Sequence, residues 1–399
     1  MRILINAVSA KMGGAATYIR ELASHAASSG VAEEFVFLVP PEHADSLRRL
    51  APAARVIASR HSHASKWRRL WFDQVGLRRL LRDEKIDVLF STANFGLICS
   101  PCRQVLLVCN AIYFSRLYRR RFMTSARQRI THVLQRWLIW CSVHSSKVLL
   151  TPSHTMLGEL QQWMSIPKTT VATVLPYGVS FASNRAKPAG QAAAPLSLLF
   201  TSLYADHKNL ATLLRALRIL VAEGRNIKLV TTADPNWPAV GRTRDWRRDS
   251  RLSRSPDIAD RVHFVMKNVG LRPDDLYRQA DIFVYPSVVE SFGHPLIEAM
   301  AQGLPVVAAD VPINREICRD AALFFDAFDP NAFASTIASL LDNPDLRLEM
   351  MHRSVSRSQD FSWEEHISRL LELLRGDALP SHYSDVPSPV SPLPELTRL

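Results

Sequence analysis

Two glutamates, Glu290 and Glu298, flank a Ser-Phe-Gly-His-Pro turn in the segment Pro286–Val307, PSVVESFGHPLIEAMAQGLPVV. Carboxylates at this spacing can accept hydrogen bonds from sugar or ribose hydroxyls. Gly293 between them lets backbone amides approach a ligand closely. The preceding run DIFVYPS (Asp281–Ser287) is apolar, aromatic and closed by a proline, which predicts a buried strand. Pro295 suits the first helical position, where no donor is lost, and LIEAMAQG runs to a glycine stop at Gly303. PVVAAD (Pro305–Asp310) predicts the next strand. Glu290 and Gly293 are therefore expected on a loop at the carboxyl end of a strand, facing a helix N-terminus. Unpaired N–H groups and the helix dipole favour an anion there. A strand, a loop and a helix with two acids are common, however, and either glutamate alone also reads as a solvated helix-end residue.

Other residues offer matching chemistry. Lys208 and Asn209, in LFTSLYADHKNLATLLRAL (Leu199–Leu217), follow a strand end and open a helix. A lysine so placed can neutralise a diphosphate as a point charge, although a loop lysine is commonly just solvated. Gly13 and Gly14 lie between the strand RILINAV and the helical AATYIREL. They permit backbone amides to meet a phosphate, or else form a flexible turn. They do not complete the G-x-G-x-x-G dinucleotide fingerprint. Asn110, ending the strand LLVCNAIYF, can contact sugar hydroxyls or simply close the strand. Ser153 suits a helix N-cap.

The order of the whole block resembles the donor-site signature of retaining nucleotide-sugar glycosyltransferases of family 4, roughly P-S-x-x-E-G-F-G-x-P-x-x-E-A-M-A-x-G-x-P-V-V. Glu290, Phe292, Gly293, Pro295, Glu298, Ala299, Met300, Ala301, Gly303, Pro305, Val306 and Val307 match, and Ser291 stands where glycine is usual. The resemblance implies a GT-B fold: two Rossmann-like domains with parallel sheets facing across a cleft, the nucleotide held mainly by the second. It implies that Glu290 orients the donor sugar and Glu298 binds the ribose. Lys208, with the amides of Ser291, Phe292 and Gly293, would stabilise the departing diphosphate. Asn209 matches the family's lysine-asparagine pair, and Gly13 and Gly14 match a glycine pair that closes over the donor. Thr201 and Ser202 replace a usual Gly-Arg, which removes one expected cation and leaves His207 or an unplaced arginine to assist. Cys109 replaces a histidine that many relatives carry near the transferred sugar. Pro176–Val179, PYGV, resembles the family's turn before its linker, and Asn314 and Glu316 its downstream acidic element. No carboxylate cluster has metal-ligand spacing, and the resembled enzymes usually need no metal or other cofactor beyond the nucleotide diphosphate sugar itself.

Those elements require a large frame. The chain has 399 residues, 47% hydrophobic and 22% charged, which suits two globular α/β domains. Apolar strands alternate with helical stretches in both halves, the pattern of parallel sheets covered on both faces. The expected divisions are 1–180, an Ala/Pro/Gly-containing linker at 181–195, a second domain at 196–360, a last helix at 361–375 and a Pro/Ser-rich disordered tail at 376–399. No apolar run reaches the roughly 18 residues that span a bilayer. The opening MRILINAVSA is too short for a signal peptide and reads as a strand. Cys99 and Cys102 form one C-x-x-C without a second pair, so reduced thiols of a cytoplasmic protein are the expectation over zinc or redox chemistry.

Charge is uneven. Residues 1–180 carry 24 Lys and Arg against 10 Asp and Glu, the remainder 25 against 27. The excess lies in Ser65–Lys85 and Ser115–Trp140, where arginines mix with tryptophan and leucine at helical spacing. Such helices suit an anionic membrane interface, or are ordinary surface helices with arginine stems over a core face. No nucleic-acid-binding module accompanies the charge. The expectation is a hexosyltransferase acting on a glycan or lipid-linked acceptor in surface polysaccharide synthesis, cytoplasmic or peripheral on the inner membrane face. A GT-B-like scaffold that binds nucleotide sugar without turnover, and an epimerase, stay open beside it.

Overall fold

The computed structural model describes residues 1–11, 13–28, 33–179, 195–237, 243–265 and 273–377. The chain divides into two compact units, Met1–Gly178 together with the segment starting at Ser362, and Val179–Phe361. The expected linker, apart from Pro195, and the tail beyond Asp377 lie outside the described residues.

The first unit carries a seven-stranded sheet: β1 (Arg2–Asn6), β2 (Glu34–Val39), β3 (Arg55–Ala58), β4 (Val88–Ser91), β5 (Arg103–Leu107), β6 (Val148–Thr151) and β7 (Val171–Val174). Its order is β3-β2-β1-β4-β5-β6-β7, with every pair parallel. The second unit has six strands: β8 (Leu196–Phe200), β9 (Ile227–Thr231), β10 (Val262–Phe264), β11 (Ile282–Tyr285), β12 (Val306–Ala309) and β13 (Ala322–Phe325). They run β10-β9-β8-β11-β12-β13, again all parallel. Strands covered on both faces read as continuous apolar runs. VLFS, VLLT, IFVY and VVAA are accordingly buried at every residue.

Each sheet winds outward from one strand and then crosses back to its other side. The reversal falls between β1 and β4 in the first unit and between β8 and β11 in the second. Ligands of open parallel sheets bind outside the carboxyl ends of the strands at such a reversal.

The last helix, Trp363–Arg375, belongs to the first unit rather than standing apart as expected. Its apolar face buries Trp363, Ile367, Leu370 and Leu374. His366 Nδ1 donates to the Pro176 carbonyl at 2.7 Å, which leaves Nε2 to accept from the Tyr18 hydroxyl at 3.1 Å. A Cβ at Gly178 would meet the Trp363 backbone nitrogen at 2.4 Å, so the PYGV turn needs its glycine for this packing.

The two basic stretches are helical with interruptions. The first runs Lys66–Trp71, a π turn at Phe72–Gly76, then Leu77–Asp83. A Cβ at Gly76 would meet the Phe72 ring at 2.6 Å, so the wider turn and the glycine go together. The second is Arg116–Arg121 followed by Ala126–His144, the latter opened by a capping box between Ser125 and Gln128.

Candidate active site

In the second unit Lys208 and Glu290 come from the two loops that flank the reversal. Phe200 and Phe283 pack against the Tyr285 ring, with centroids 6.2 and 5.9 Å away, and so fix the end of β11. Its hydroxyl then lies beside the loop. Gly293 has φ +96°, and a Cβ there would also crowd Leu296 at 3.1 Å; only glycine turns the chain into the helix His294–Ala301. Pro295 occupies the second position of that helix, one place later than expected, and still forfeits no intrahelical bond. On the other loop, Asn209 adopts the left-handed conformation at φ 54° ahead of the helix Leu210–Ala222. Its amide donates to the Ala327 carbonyl at 2.6 Å and its oxygen accepts from the Thr212 hydroxyl at 2.8 Å. Asn209 therefore braces Lys208 from beneath. The Val288 amide donates to the His207 carbonyl at 3.0 Å, tying the two loops together.

Glu290 Oε1 gathers three donors: Lys208 Nζ at 2.5 Å, the Tyr285 hydroxyl at 2.6 Å and the Ser287 hydroxyl at 2.6 Å. Its Oε2 accepts no hydrogen bond among the described residues, so one oxygen is anchored and the other remains available. Burial works to raise the Glu290 pKa, but the Lys208 ammonium and the Ser287 hydroxyl hold it below the usual carboxylate value. The group is thus an anion at neutral pH. Burial depresses His207 and His294 to about 4, so both imidazoles are neutral there. His207 consequently supplies no second cation, and Lys208 is the positive charge of the pair of loops.

Glu298 is held separately. The Tyr277 hydroxyl donates to its Oε2 at 2.5 Å, and the Thr201 hydroxyl lies 2.8 Å from Tyr277. Thr201, which stands where the family usually has glycine, thus ends a Thr–Tyr–Glu relay. Ser202 is turned inward, its amide donating to Thr232 Oγ1 at 2.9 Å. Phe292 is buried against Phe361 and His294, with centroids 5.7 and 5.6 Å apart, and sets the turn by packing, while Ser291 stays partly exposed. Asn314 is fully buried and donates to the carbonyls of Ser287 (3.2 Å) and Ala309 (2.9 Å), which pins the β11 loop from below. Sequence reading passed over Tyr285, Ser287 and Tyr277 as holders of the carboxylates. The one usable signal was a hydroxyl-bearing residue three and five positions before Glu290.

In the first unit Gly13 has φ +67° and Gly14 begins the helix Gly14–Ser28 after β1. Asn110 Oδ1 accepts from the Ile112 amide at 3.1 Å, closing a short turn at the end of β5. Ser153 caps its helix as expected, accepting from Met156 N at 3.1 Å. Burial pushes the Cys109 thiol up to about 11, so it stays protonated and does not substitute for an acid–base histidine. All five cysteines are free thiols. Among the described residues no group of His, Cys, Asp and Glu could hold a metal ion.

Two all-parallel sheets of Rossmann order, one in each unit, define a protein of the GT-B fold class. Residues 186–357 match the family "Glycosyl transferases group 1", and residues 12–183 match "Glycosyltransferase Family 4". The chain belongs to the group 1, family 4 glycosyltransferases. It is 35% identical over 133 residues to D-inositol 3-phosphate glycosyltransferase of Salinispora tropica, 33% of this chain and 27% of that one. To O-antigen chain mannosyltransferase B of Escherichia coli it is 30% identical over 171 residues, 42% of each chain. These matches thus span less than half the length of the curated relatives. In fold it is similar to sucrose-phosphate synthase of Thermosynechococcus elongatus, with a TM-score of 0.72 at 18% identity over 94% of this chain and 98% of that one. Anabaena HepE, solved with UDP and glucose, gives 0.71 at 17% identity over 94% and 99%.

Proposed function

We propose that this protein transfers a hexose from a nucleotide diphosphate sugar to a hydroxyl of a glycan or lipid-linked acceptor, with retention at the anomeric carbon. The observation that carries the reading is the Lys208–Glu290 pair at the β8/β11 reversal, with Glu290 Oε2 uncommitted. Lys208 Nζ meets the diphosphate and stabilises charge as the leaving group departs. The amides of Ser291 to Gly293, at the positive end of a helix, assist it. Glu290, anchored through Oε1, offers Oε2 to a hydroxyl of the donor sugar, and Glu298, anchored by Tyr277, accepts from the ribose. Retention follows a front-face course in which the leaving phosphate helps to deprotonate the acceptor, so no side chain serves as general base.

The two relatives named above support a glycosyl donor, one of them a mannosyl one, and the UDP and glucose bound by HepE support the nucleotide sugar class. Surface polysaccharide synthesis is the process this reading favours. It also includes a peripheral place on an anionic membrane surface. Ile130, Val133, Leu134 and Trp137 are each more than half exposed along one side of the helix Ala126–His144, with Arg127 and Arg129 beside them. An exposed apolar stripe edged by arginine suits a bilayer interface. No helix among the described residues is long and apolar enough to cross a membrane.

The test is nucleotide release from a panel of UDP-, GDP- and dTDP-hexoses. Slow release by the native chain that is lost in Glu290→Ala and Lys208→Met supports transfer. Binding of donor without release by any preparation would contradict it and favour a non-catalytic nucleotide-sugar scaffold, and a changed sugar without acceptor would indicate an epimerase.

A further inference from the structure

The charges at the β8/β11 reversal do not yet suit a diphosphate. Lys208 is held by Glu290 at 2.5 Å, Glu298 adds a second carboxylate on the following helix, and Asp206 a third at the start of the lysine loop. Burial keeps His207 and His294 neutral. Ser202, at the end of β8, is turned inward with its amide and carbonyl both on Thr232 Oγ1, so it meets no ligand there. A nucleotide diphosphate sugar brings further negative charge to this place, where like charges repel. A second cation at the carboxyl edge of the sheet relieves that imbalance.

The chain after β9 brings one there. β9 lies beside β8, and the helix Trp246–Leu252 that follows it is fastened to the loops of both strands. Asp249 of that helix is 1% exposed and accepts at 2.9 Å from the hydroxyl of Tyr204, on the β8 loop. The Ser250 hydroxyl donates at 2.8 Å to Asn236 Oδ1, on the β9 loop. Just before the helix, the Asp245 amide donates to Asp206 Oδ1 at 3.3 Å, and Asp206 opens the short turn that ends at Lys208. Arg244 stands one residue from this hydrogen bond and Lys208 two residues from it, so one junction carries both cations. Arg244 also has charge to spare. Arg248 takes Asp249 at 2.8 Å and has the closer contact with Asp245, 3.2 Å against 3.8 Å for Arg244. The Arg244 side chain is 58% exposed, and its planar fork matches pairs of phosphate oxygens.

We infer that Arg244 is the second cation of the donor site and binds the diphosphate of the nucleotide sugar alongside Lys208. This rests on the transferase reading and deepens it by naming the residue that balances the site's charge. Arg244 recognises the diphosphate and neither the base nor the sugar.

The experiment is calorimetric titration of the full chain with UDP and GDP, beside uridine and guanosine as probes that lack phosphate, each with and without added Mg²⁺. Arg244→Gln is expected to weaken binding of the diphosphate about ten-fold, as losing a charged hydrogen-bond donor implies, and to leave nucleoside binding unchanged. Arg244→Lys keeps the charge and recovers affinity to within about three-fold of the native chain. Arg251→Gln removes the same charge further along the helix and shifts affinity by less than about two-fold, because exposed charges at that remove are screened. Native affinity in Arg244→Gln, or an equal loss for nucleoside and diphosphate, would overturn the assignment. Diphosphate binding that requires Mg²⁺ and ignores Arg244→Gln would overturn it too and give the counter-charge to a metal ion. A native chain that releases nucleotide from a donor sugar but shows no Arg244-dependent binding refutes this cation alone. Arg244-dependent binding of UDP or GDP without release from any donor refutes only the transferase reading, and a native chain that binds neither diphosphate overturns both.

Discussion

The two units share a strand order and differ in what hangs from it. In the second, the loops after β8 and β11 bring one lysine and one glutamate into direct contact, and each is braced from below by an asparagine. In the first, the loop after β5 carries no acid, and Arg136 on a neighbouring helix stacks on Trp163 with no carboxylate partner among the described residues. A preformed ion pair holds its own geometry before any ligand arrives, whereas an unpaired buried cation carries an uncompensated desolvation cost. One strand order thus carries, in one unit, charges that balance each other and, in the other, an arginine whose charge no described neighbour balances.

Breaking the second unit's pair has the largest expected effect. Glu290→Ala leaves Lys208 without its counter-charge and removes the anchored carboxylate, so donor turnover falls by about 100-fold or more, read as nucleotide release. Tyr285→Phe deletes one of three donors to Oε1 and keeps the others; a loss of about 1 kcal/mol, or five- to ten-fold in kcat, is expected. Tyr277→Phe acts on Glu298 instead and raises KM for the donor with little change in kcat, a split that steady-state kinetics separates.

Acidification sharpens the comparison through His207. Its folded pKa of about 4 lies below an unfolded value near 6.5, so the unfolded chain binds a proton that the folded one refuses. Stability is then lost as pH falls from about 6.5 towards 4, by up to roughly 3 kcal/mol. His207→Gln flattens the fall in Tm over that window. The smallest effect belongs to the first unit's surface: Val133→Ser with Trp137→Ser leaves nucleotide release intact and weakens flotation with phosphatidylglycerol vesicles about three-fold.

Much of this was legible in the residues. DIFVYPS, its glycine turn and the proline-led helix are local signals, and they placed Glu290, Gly293 and Glu298 on the right elements within one residue. The edge strands β3, β7 and β13 were passed over, each being only partly covered in its sheet. The Lys208–Glu290 contact joins residues 82 positions apart and depends on β8 lying next to β11, which no local pattern encodes. Arg136 looked like one cation in a basic stretch. Its isolation emerges only once Trp163 and the Ile112 loop fold against that helix. The last helix read as an appendage because the change of unit between Phe361 and Ser362 leaves no mark in composition.

The central claim is that a nucleotide diphosphate sugar binds where the second sheet reverses. Hydrogen–deuterium exchange of the full chain, with and without UDP- and GDP-hexoses, measures this directly. Slowed exchange at residues 201–209 and 286–296 with at least one donor, lost in Lys208→Met, is the predicted result. Protection that leaves both loops unchanged while appearing elsewhere would contradict it.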